Sequence, residues 1–111
     1  MADLTLYGIP TCDTCKKAQK ALVNEGHAVT FRDVRMTPLS EAEIAEFVTE
    51  FGPAIINRQS TTWRSLSDFL RESEPEAQLA AQPTLMKRPV IRGPQGLTLG
   101  WTPEVMASYG V

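Results

Sequence analysis

Two cysteines separated by two residues are the side chains of this sequence with the most evident potential for chemistry. Cys12 and Cys15 are the only cysteines among 111 residues. Two ligands are too few for a structural zinc site, and the pair is too local for a disulfide framework. The spacing instead suits thiols that cycle through a small-ring disulfide. Such a pair also arises by chance, and a buried cysteine is a common core residue, so the spacing alone leaves both interpretations open.

The elements predicted around the pair favour redox chemistry. Residues 4–9 are typical of a buried strand, a Gly-Ile-Pro-Thr segment at residues 8–11 breaks it, and residues 16–24 predict a helix. Cys12 is therefore expected near a helix N-terminus, where unpaired N–H groups and the helix dipole stabilise a thiolate. Lys16 adds positive charge one turn later. We predict that Cys12 is the nucleophile and that Cys15, one turn into the helix, can resolve a mixed disulfide.

The first half of the chain continues as strand and then helix. Val29 and Phe31 alternate with polar residues, which is typical of a half-buried strand. Ser40 and Glu43 have the spacing of a capping box, which predicts a helix from there to about Phe51. The chain therefore begins in the order β, α, β, α.

The middle of the chain predicts helices, and its end predicts a hairpin followed by a helix. No convincing strand pattern occurs in residues 52–81. Apolar residues at helical spacing are assigned there to the core, namely Trp63, Leu66, Phe69 and Leu70. A Gly-Pro-Gln-Gly turn at residues 93–96 predicts a β-hairpin, and Thr102 precedes a short final helix. This order predicts one central sheet covered by helices on both faces.

Composition and charge limit the classes of function. A length of 111 residues with 42% hydrophobic residues suits a single domain spanning residues 1–111. The net charge of -2 gives no general attraction to nucleic acid. The apolar runs are far shorter than the roughly 20 residues of a membrane helix, and the N-terminus lacks the pattern of a secretory signal. The expected location is the cytoplasm, with no direct nucleic-acid or membrane partner.

Three parts of the sequence together resemble the ArsC/Spx/YffB family. They are residues 6–18 around the cysteine pair, residues 56–66, and residues 87–91 followed by a Leu-Gly-Trp at 99–101. The resemblance covers nearly the whole chain. It implies an α/β fold with a thioredoxin-like, or glutaredoxin-like, core, in which a helical insertion at about residues 40–84 separates an N-terminal βαβ unit from a C-terminal ββα unit.

The resemblance also implies a set of site residues. Cys12 would be the nucleophile, Pro89 would be a cis proline beside it, and a basic patch would bind an anion. For that patch Arg88 matches a family arginine and Arg58 matches another approximately. Lys16 stands where arsenate reductases of the family carry an arginine.

Two further positions near Cys12 bear on its chemistry. Thr11 either donates a hydrogen bond to the Cys12 thiolate or caps the helix, and capping is the favoured role. Gly8 stands where arsenate reductases of the family carry a histidine. His27 is the only histidine of the chain, and it is assigned to the surface without a catalytic role.

The branch that the residues favour is the YffB-like one, which implies a glutathione-dependent thiol reductase. Its substrate would be a small thiol compound or oxyanion, glutathione would be a cosubstrate, and glutaredoxin is a further candidate partner. No metal and no tightly bound cofactor are expected. Two alternatives stay open: an Spx-like redox-sensing regulator that binds RNA polymerase, and a glutaredoxin-coupled arsenate reductase.

Overall fold

The structure is a computed structural model that describes residues 2–111. The chain forms two compact units. One unit contains the residues up to Asp33 together with Arg88–Val111, and the other contains Val34–Lys87. No helix within residues 2–111 is long and apolar enough to cross a membrane.

A four-stranded mixed sheet organises the first unit. Its strands are β1 (Asp3–Gly8), β2 (Ala28–Asp33), β3 (Val90–Gly93) and β4 (Gly96–Leu99), in the order β2-β1-β3-β4. β1 pairs in parallel with β2, whereas β3 is antiparallel to both β1 and β4. Gly96 has φ +111°, a value that favours glycine and allows the tight β3–β4 turn. The α/β fold class and the predicted hairpin are confirmed.

Helix α1 (Asp13–Asn24) connects β1 to β2 and packs on the sheet. Its buried residues Cys15, Ala18 and Leu22 recur every three or four positions, so they share the helix face that contacts the core. With them are buried Leu4, Leu6 and Ile91 of the sheet. The helix begins at Asp13, three residues before the predicted start, because the chain enters the helix directly after Cys12.

The second unit is helical, as the middle of the sequence predicts. It contains α2 (Glu41–Phe51), α3 (Thr61–Arg64), α4 (Asp68–Arg71) and α5 (Pro75–Ala81), with short 3-10 turns at Gly52–Ile55 and Pro83–Leu85. The capping box is confirmed: the Glu43 N–H donates to Ser40 Oγ, and the Ser40 N–H donates to Glu43 Oε1. This reciprocal pair satisfies two donors at the start of α2.

The predicted core role of Phe69 is wrong. Leu66 is buried, but the Phe69 side chain is 80% exposed. The residues at helical spacing are divided between two short helices, α3 and α4, and each helix is capped by its own serine, Ser60 or Ser67. Because the helical repeat does not continue across this break, residues 66 and 69 do not share a helix face.

His27 connects the two ends of the first unit. Its Nδ1 accepts a hydrogen bond from the Ala2 N–H at 3.1 Å, and its Nε2 donates to the Tyr109 carbonyl at 2.9 Å. Tyr109 follows the last helix, α6 (Pro103–Ser108). The neutral imidazole with its proton on Nε2 satisfies both bonds. His27 is therefore half-buried and structural.

We expect His27→Phe, which keeps a ring but removes both nitrogens, to destabilise the protein by about 1–3 kcal/mol, since two partners lose their hydrogen bonds. Urea unfolding measures the cost, and amide hydrogen exchange should increase across residues 103–111. Val23→Phe, on the exposed side of α1, is the control. Wild-type exchange at residues 103–111 in the His27 variant would contradict this role.

Candidate active site

Cys12 lies at the junction of β1 and α1. Its N–H donates to the Ile9 carbonyl at 3.1 Å, which closes the turn after the strand. Its carbonyl accepts the Lys16 N–H at 3.0 Å, the first hydrogen bond of the helix. With φ -82° and ψ 117°, Cys12 is the N-cap residue of α1. Its half-buried side chain therefore projects from the end of the helix where backbone N–H groups lack helical partners.

Cys15 occupies the first turn of α1 and is fully buried. It belongs to the apolar cluster between helix and sheet, with Leu6 and Ala18, and Cys12 packs against that cluster from its edge. The two cysteines are 3.4 Å apart, and both are thiols rather than a disulfide. The helical spacing thus brings one partly accessible sulfur and one inaccessible sulfur together.

The pKa of Cys12 is lowered from its ordinary value. Partial burial acts in the opposite direction, but four interactions outweigh it. They are hydrogen bonds from the Cys15 N–H and the Cys15 thiol, followed by the positive charge and a hydrogen bond of Arg88. Cys12 makes no side-chain cap bond of normal geometry, yet the nearby Cys15 N–H still favours its thiolate. A lower pKa increases the population of the Cys12 thiolate, which is the nucleophilic form of the thiol.

The pKa of Cys15 is raised to about 12. Burial among apolar side chains is the largest cause, because it disfavours a charged sulfur. The neighbouring Cys12 adds to the rise through its charge and its hydrogen bond, although the Ile9 backbone and the Arg88 charge partly oppose it. Cys15 therefore stays protonated at neutral pH and acts as a hydrogen-bond donor to the Cys12 thiolate.

The raised pKa of Cys15 predicts a loss of stability in alkali. In the unfolded chain this thiol loses its proton near pH 9, whereas in the folded protein it keeps it until about pH 12. Between these values the folded state binds the extra proton, so stability falls by roughly 1.4 kcal/mol per pH unit. Urea unfolding from pH 8 to 11 should show this slope in the reduced protein. Cys15→Ala should remove that part of the slope, and equal slopes in the two proteins would contradict the assignment.

Arg88 and Pro89 approach the cysteines from the start of β3. The Arg88–Pro89 peptide bond is cis, as the sequence resemblance implied. The Gly100 N–H donates to the Pro89 carbonyl at 2.8 Å, with Gly100 at φ +82°. This bond ties the end of β4 to the segment that carries Arg88, whose guanidinium lies close enough to hydrogen-bond Cys12. The hairpin thus supplies the positive charge of the site.

Thr11, Lys16 and Arg58 are the other predicted binding residues. Thr11 and Lys16 are exposed on either side of Cys12. The role of Thr11 as helix cap is wrong, because Cys12 occupies the N-cap position. Arg58 belongs to the second unit, where its guanidinium carbon lies 5.4 Å from the centroid of the Trp63 ring. The structure thus brings together Cys12, Cys15 and the Arg88–Pro89 segment.

Ile9 and Trp101 complete the surroundings of the thiols. The Ile9 carbonyl accepts the hydrogen bond that orients Cys12. A backbone hydrogen bond with Ile9 also acts to lower the pKa of Cys15. Sequence reasoning missed both roles because they belong to the backbone and leave no side-chain pattern. Trp101 packs on the cluster that contains Cys15 and stays partly exposed. The Leu-Gly-Trp segment at residues 99–101 was the sequence feature from which its place near the site could have been predicted.

A cavity of about 290 Å³ lies at the opposite end of β1 from Cys12. Its lining includes Ala2, Leu4, His27 and Tyr109. Neither cysteine nor Arg88 belongs to its lining, so its volume plays no part in the thiol chemistry. The Tyr109 hydroxyl is bonded to Thr98 Oγ1 at 2.8 Å, and burial raises the pKa of this phenol.

Comparisons with known proteins agree with this architecture. A sequence profile described as the ArsC family matches residues 7–109. A Haemophilus influenzae protein described as uncharacterized is 38% identical over 93 residues, which cover 79% of this chain and 82% of that protein. The global transcriptional regulator Spx of Listeria innocua is 34% identical, with 96% of this chain and 86% of that protein covered.

Solved structures show the same fold. The YffB protein superposes with a TM-score of 0.86 at 30% identity, covering 97% of this chain and 99% of its own. An arsenate reductase (ArsC) related protein of Brucella melitensis has a TM-score of 0.72 at 30% identity, with 98% and 96% covered. The Vibrio cholerae arsenate reductase shares the fold at 20% identity and a TM-score of 0.77, covering 97% and 98%. From the profile match, these relatives and the thioredoxin-like arrangement of sheet and cysteines, we conclude that this chain belongs to the ArsC family.

Proposed function

We propose that this protein is a thiol-disulfide oxidoreductase that uses Cys12 as its nucleophile and glutathione as a cosubstrate. One observation carries the proposal: two thiols 3.4 Å apart have pKa values shifted in opposite directions. A purely structural pair has no need of an accessible sulfur whose pKa is lowered. Membership of the ArsC family supports thiol chemistry at this position.

The first step is attack by the Cys12 thiolate on one sulfur of a substrate disulfide. A bond forms between Cys12 Sγ and that sulfur, the substrate S–S bond breaks, and the other sulfur leaves as a thiolate that takes a proton from water. Arg88 lies beside Cys12 and can stabilise negative charge as it moves between the sulfurs. The product of this step is a mixed disulfide on Cys12.

The second step releases the substrate by one of two routes. In the first, glutathione attacks the mixed disulfide, which restores the Cys12 thiolate and forms a new glutathione disulfide. In the second, Cys15 gives its proton to the departing thiolate and bonds to Cys12, so that the substrate is reduced and the cysteine pair is oxidised. Two glutathione molecules then reduce the pair and become glutathione disulfide. Because the pKa of Cys15 is about 12, the glutathione route should dominate at neutral pH.

Several partners follow from this chemistry. Glutathione carries carboxylates that guanidinium groups bind well, which makes Arg88 the first candidate anchor and Arg58 the second. Thr11 and Lys16 are exposed and lie within four residues of Cys12 in the sequence, which makes them further candidates for glutathione contacts. A reducing compartment such as the cytoplasm would keep both thiols reduced and supply glutathione. Glutaredoxin would be an alternative electron donor, and no metal or tightly bound cofactor takes part in either step.

The decisive experiment couples turnover to glutathione reductase. The protein is supplied with the mixed disulfide of glutathione and mercaptoethanol, and the consumption of reduced nicotinamide cofactor is followed. We expect catalytic turnover that requires glutathione. A single stoichiometric oxidation of the protein, with no turnover at any glutathione concentration, would overturn the proposal. Arsenate with glutathione and glutaredoxin, as the second substrate tested, should give little activity, because Gly8 and Lys16 depart from the arsenate reductase pattern.

A second candidate function is a redox-responsive regulator that binds RNA polymerase. The specific observation behind it is the similarity to Spx of Listeria innocua over 96% of this chain. In that case the Cys12–Cys15 pair would be the sensor, and oxidation would change affinity for the partner. A binding assay with purified RNA polymerase and with the reduced or oxidised protein tests this candidate. Redox-dependent binding without turnover would favour the regulator.

A further inference from the structure

We infer that Gly8 positions the Cys15 sulfur, because the space that a side chain at residue 8 would fill is the space that this sulfur occupies. The inference rests on the proposed function for its chemical meaning, since it concerns the second thiol of the same pair. It assigns to Gly8 a role that is steric, and it explains why the last residue of β1 has no side chain.

Glycine at residue 8 is required for space rather than for backbone conformation. Five other glycines of the described chain have positive φ, but Gly8 does not. A β-carbon built on Gly8 would collide with Cys15 Sγ. It would also come within 3.3 Å of Cys15 Cβ and 3.4 Å of Leu6 Cδ2. Cys15 therefore lies directly against the backbone of the strand.

Neither partner can easily move away. Gly8 is held in β1, where it pairs with Asp33 of β2. Cys15 is fully buried in the first turn of α1, and Ala18 and Leu22 anchor the same helix face in the core. Close packing leaves few alternative positions for a buried side chain. A side chain at residue 8 would thus either rotate the Cys15 sulfur away from Cys12 or lift α1 from the sheet.

The chemical consequence concerns Cys12. The Cys15 thiol is one of the donors that lower the pKa of Cys12, and it is also the only sulfur placed to form an internal disulfide. In this chain a side chain at residue 8 would therefore displace the second thiol from its place beside Cys12. Position 8 is where the arsenate reductases that the sequence resembles carry a histidine. Gly8 thus leaves the space that the second sulfur of the site occupies.

The test is a double-variant cycle of Gly8→Ala and Cys15→Ala. In the presence of Cys15, Gly8→Ala should raise the pKa of Cys12, followed by thiolate absorbance at 240 nm. It should also slow formation of the Cys12–Cys15 disulfide by glutathione disulfide at least tenfold. In the Cys15→Ala background, where the sulfur is absent, the same change should leave the pKa of Cys12 unaltered. Gly93→Ala is the matched control: its β-carbon meets Leu4 Cδ2 at 2.8 Å, so it crowds the same core without touching a thiol.

Each outcome is decisive. An unchanged pKa of Cys12 and an unchanged disulfide rate in Gly8→Ala would overturn the inference, as would equal effects of Gly8→Ala in both backgrounds. If Gly8→Ala alone fails to fold, folding of the Gly8→Ala/Cys15→Ala protein supports the steric pair, and failure of both rejects it. None of these measurements requires turnover. Absence of turnover together with the expected coupling would therefore reject the proposed function and leave the role of Gly8 intact.

Discussion

Cys12→Ser should lower turnover of the glutathione mixed disulfide by at least about 1,000-fold, because a neutral hydroxyl replaces the partly accessible thiol whose pKa is lowered. The steady-state rate with saturating glutathione measures the loss. The serine is nearly isosteric and Cys12 is only half-buried, so urea unfolding should show little change in stability. Loss of activity with an intact fold would place the chemistry at this sulfur.

Cys15→Ser is the matched control for Cys12→Ser. Glutathione can release the substrate without Cys15, so this variant should keep a substantial part of the wild-type turnover. It should lose the ability to form an internal disulfide, which mass spectrometry detects. Equal inactivation by both substitutions would contradict the glutathione route and make the cysteine pair an obligatory unit. Full activity of Cys12→Ser would reject Cys12 as the nucleophile.

Arg88→Met has the second largest expected effect. Its charge and its hydrogen bond both lower the pKa of Cys12, so their removal should raise that pKa. At pH values below both pKa values, the variant would then have a smaller thiolate fraction at Cys12 than the wild-type protein. The rate of alkylation by iodoacetamide between pH 4 and 10 measures the shift directly. Lys87→Met, which removes an exposed charge from the preceding residue, should leave the alkylation profile nearly unchanged.

The same substitution has a defined effect on stability. The pKa of Cys12 is lower in the folded protein than its ordinary value of 9.0. The resulting stabilisation is complete above pH 9 and is lost as the pH falls through the folded pKa. Arg88→Met should therefore cost more stability at pH 9 than at pH 5. A cost that is the same at both pH values would show that Arg88 acts through packing and not through the Cys12 thiolate.

The local elements of the fold could be predicted because their signals are local. The Ser40–Glu43 capping box, the turn between β3 and β4, and the start of α6 after Thr102 all depend on residues within a few positions of one another. The prediction for Phe69 was wrong because a helical period was extended across a break. Two serine caps, Ser60 and Ser67, restart the helix there.

The start of α1, next to the site, also differs from what local side-chain preferences predict. Thr11 has the side chain of a good cap, yet Cys12 takes the N-cap position because the Cys12 N–H closes the turn with the Ile9 carbonyl. Side-chain preference at one position is worth about 1 kcal/mol, and the geometry of the incoming strand outweighs it. Likewise the surface assignment of His27 missed its two backbone partners, since both are distant in sequence.

By itself, the amino-acid sequence determined the reactive residue types, their one-turn separation and the strand-to-helix junction that exposes N–H groups to Cys12. Only the tertiary structure shows that the pKa of Cys15 is raised while that of Cys12 is lowered, and which neighbours cause each shift. Packing α1 on β1 buries Cys15 against Gly8 and keeps it protonated, while the β3–β4 hairpin brings Arg88 to Cys12 from far along the chain. The physical reason is that desolvation and Coulomb interactions depend on distance in space, which chain spacing does not specify beyond a helical turn.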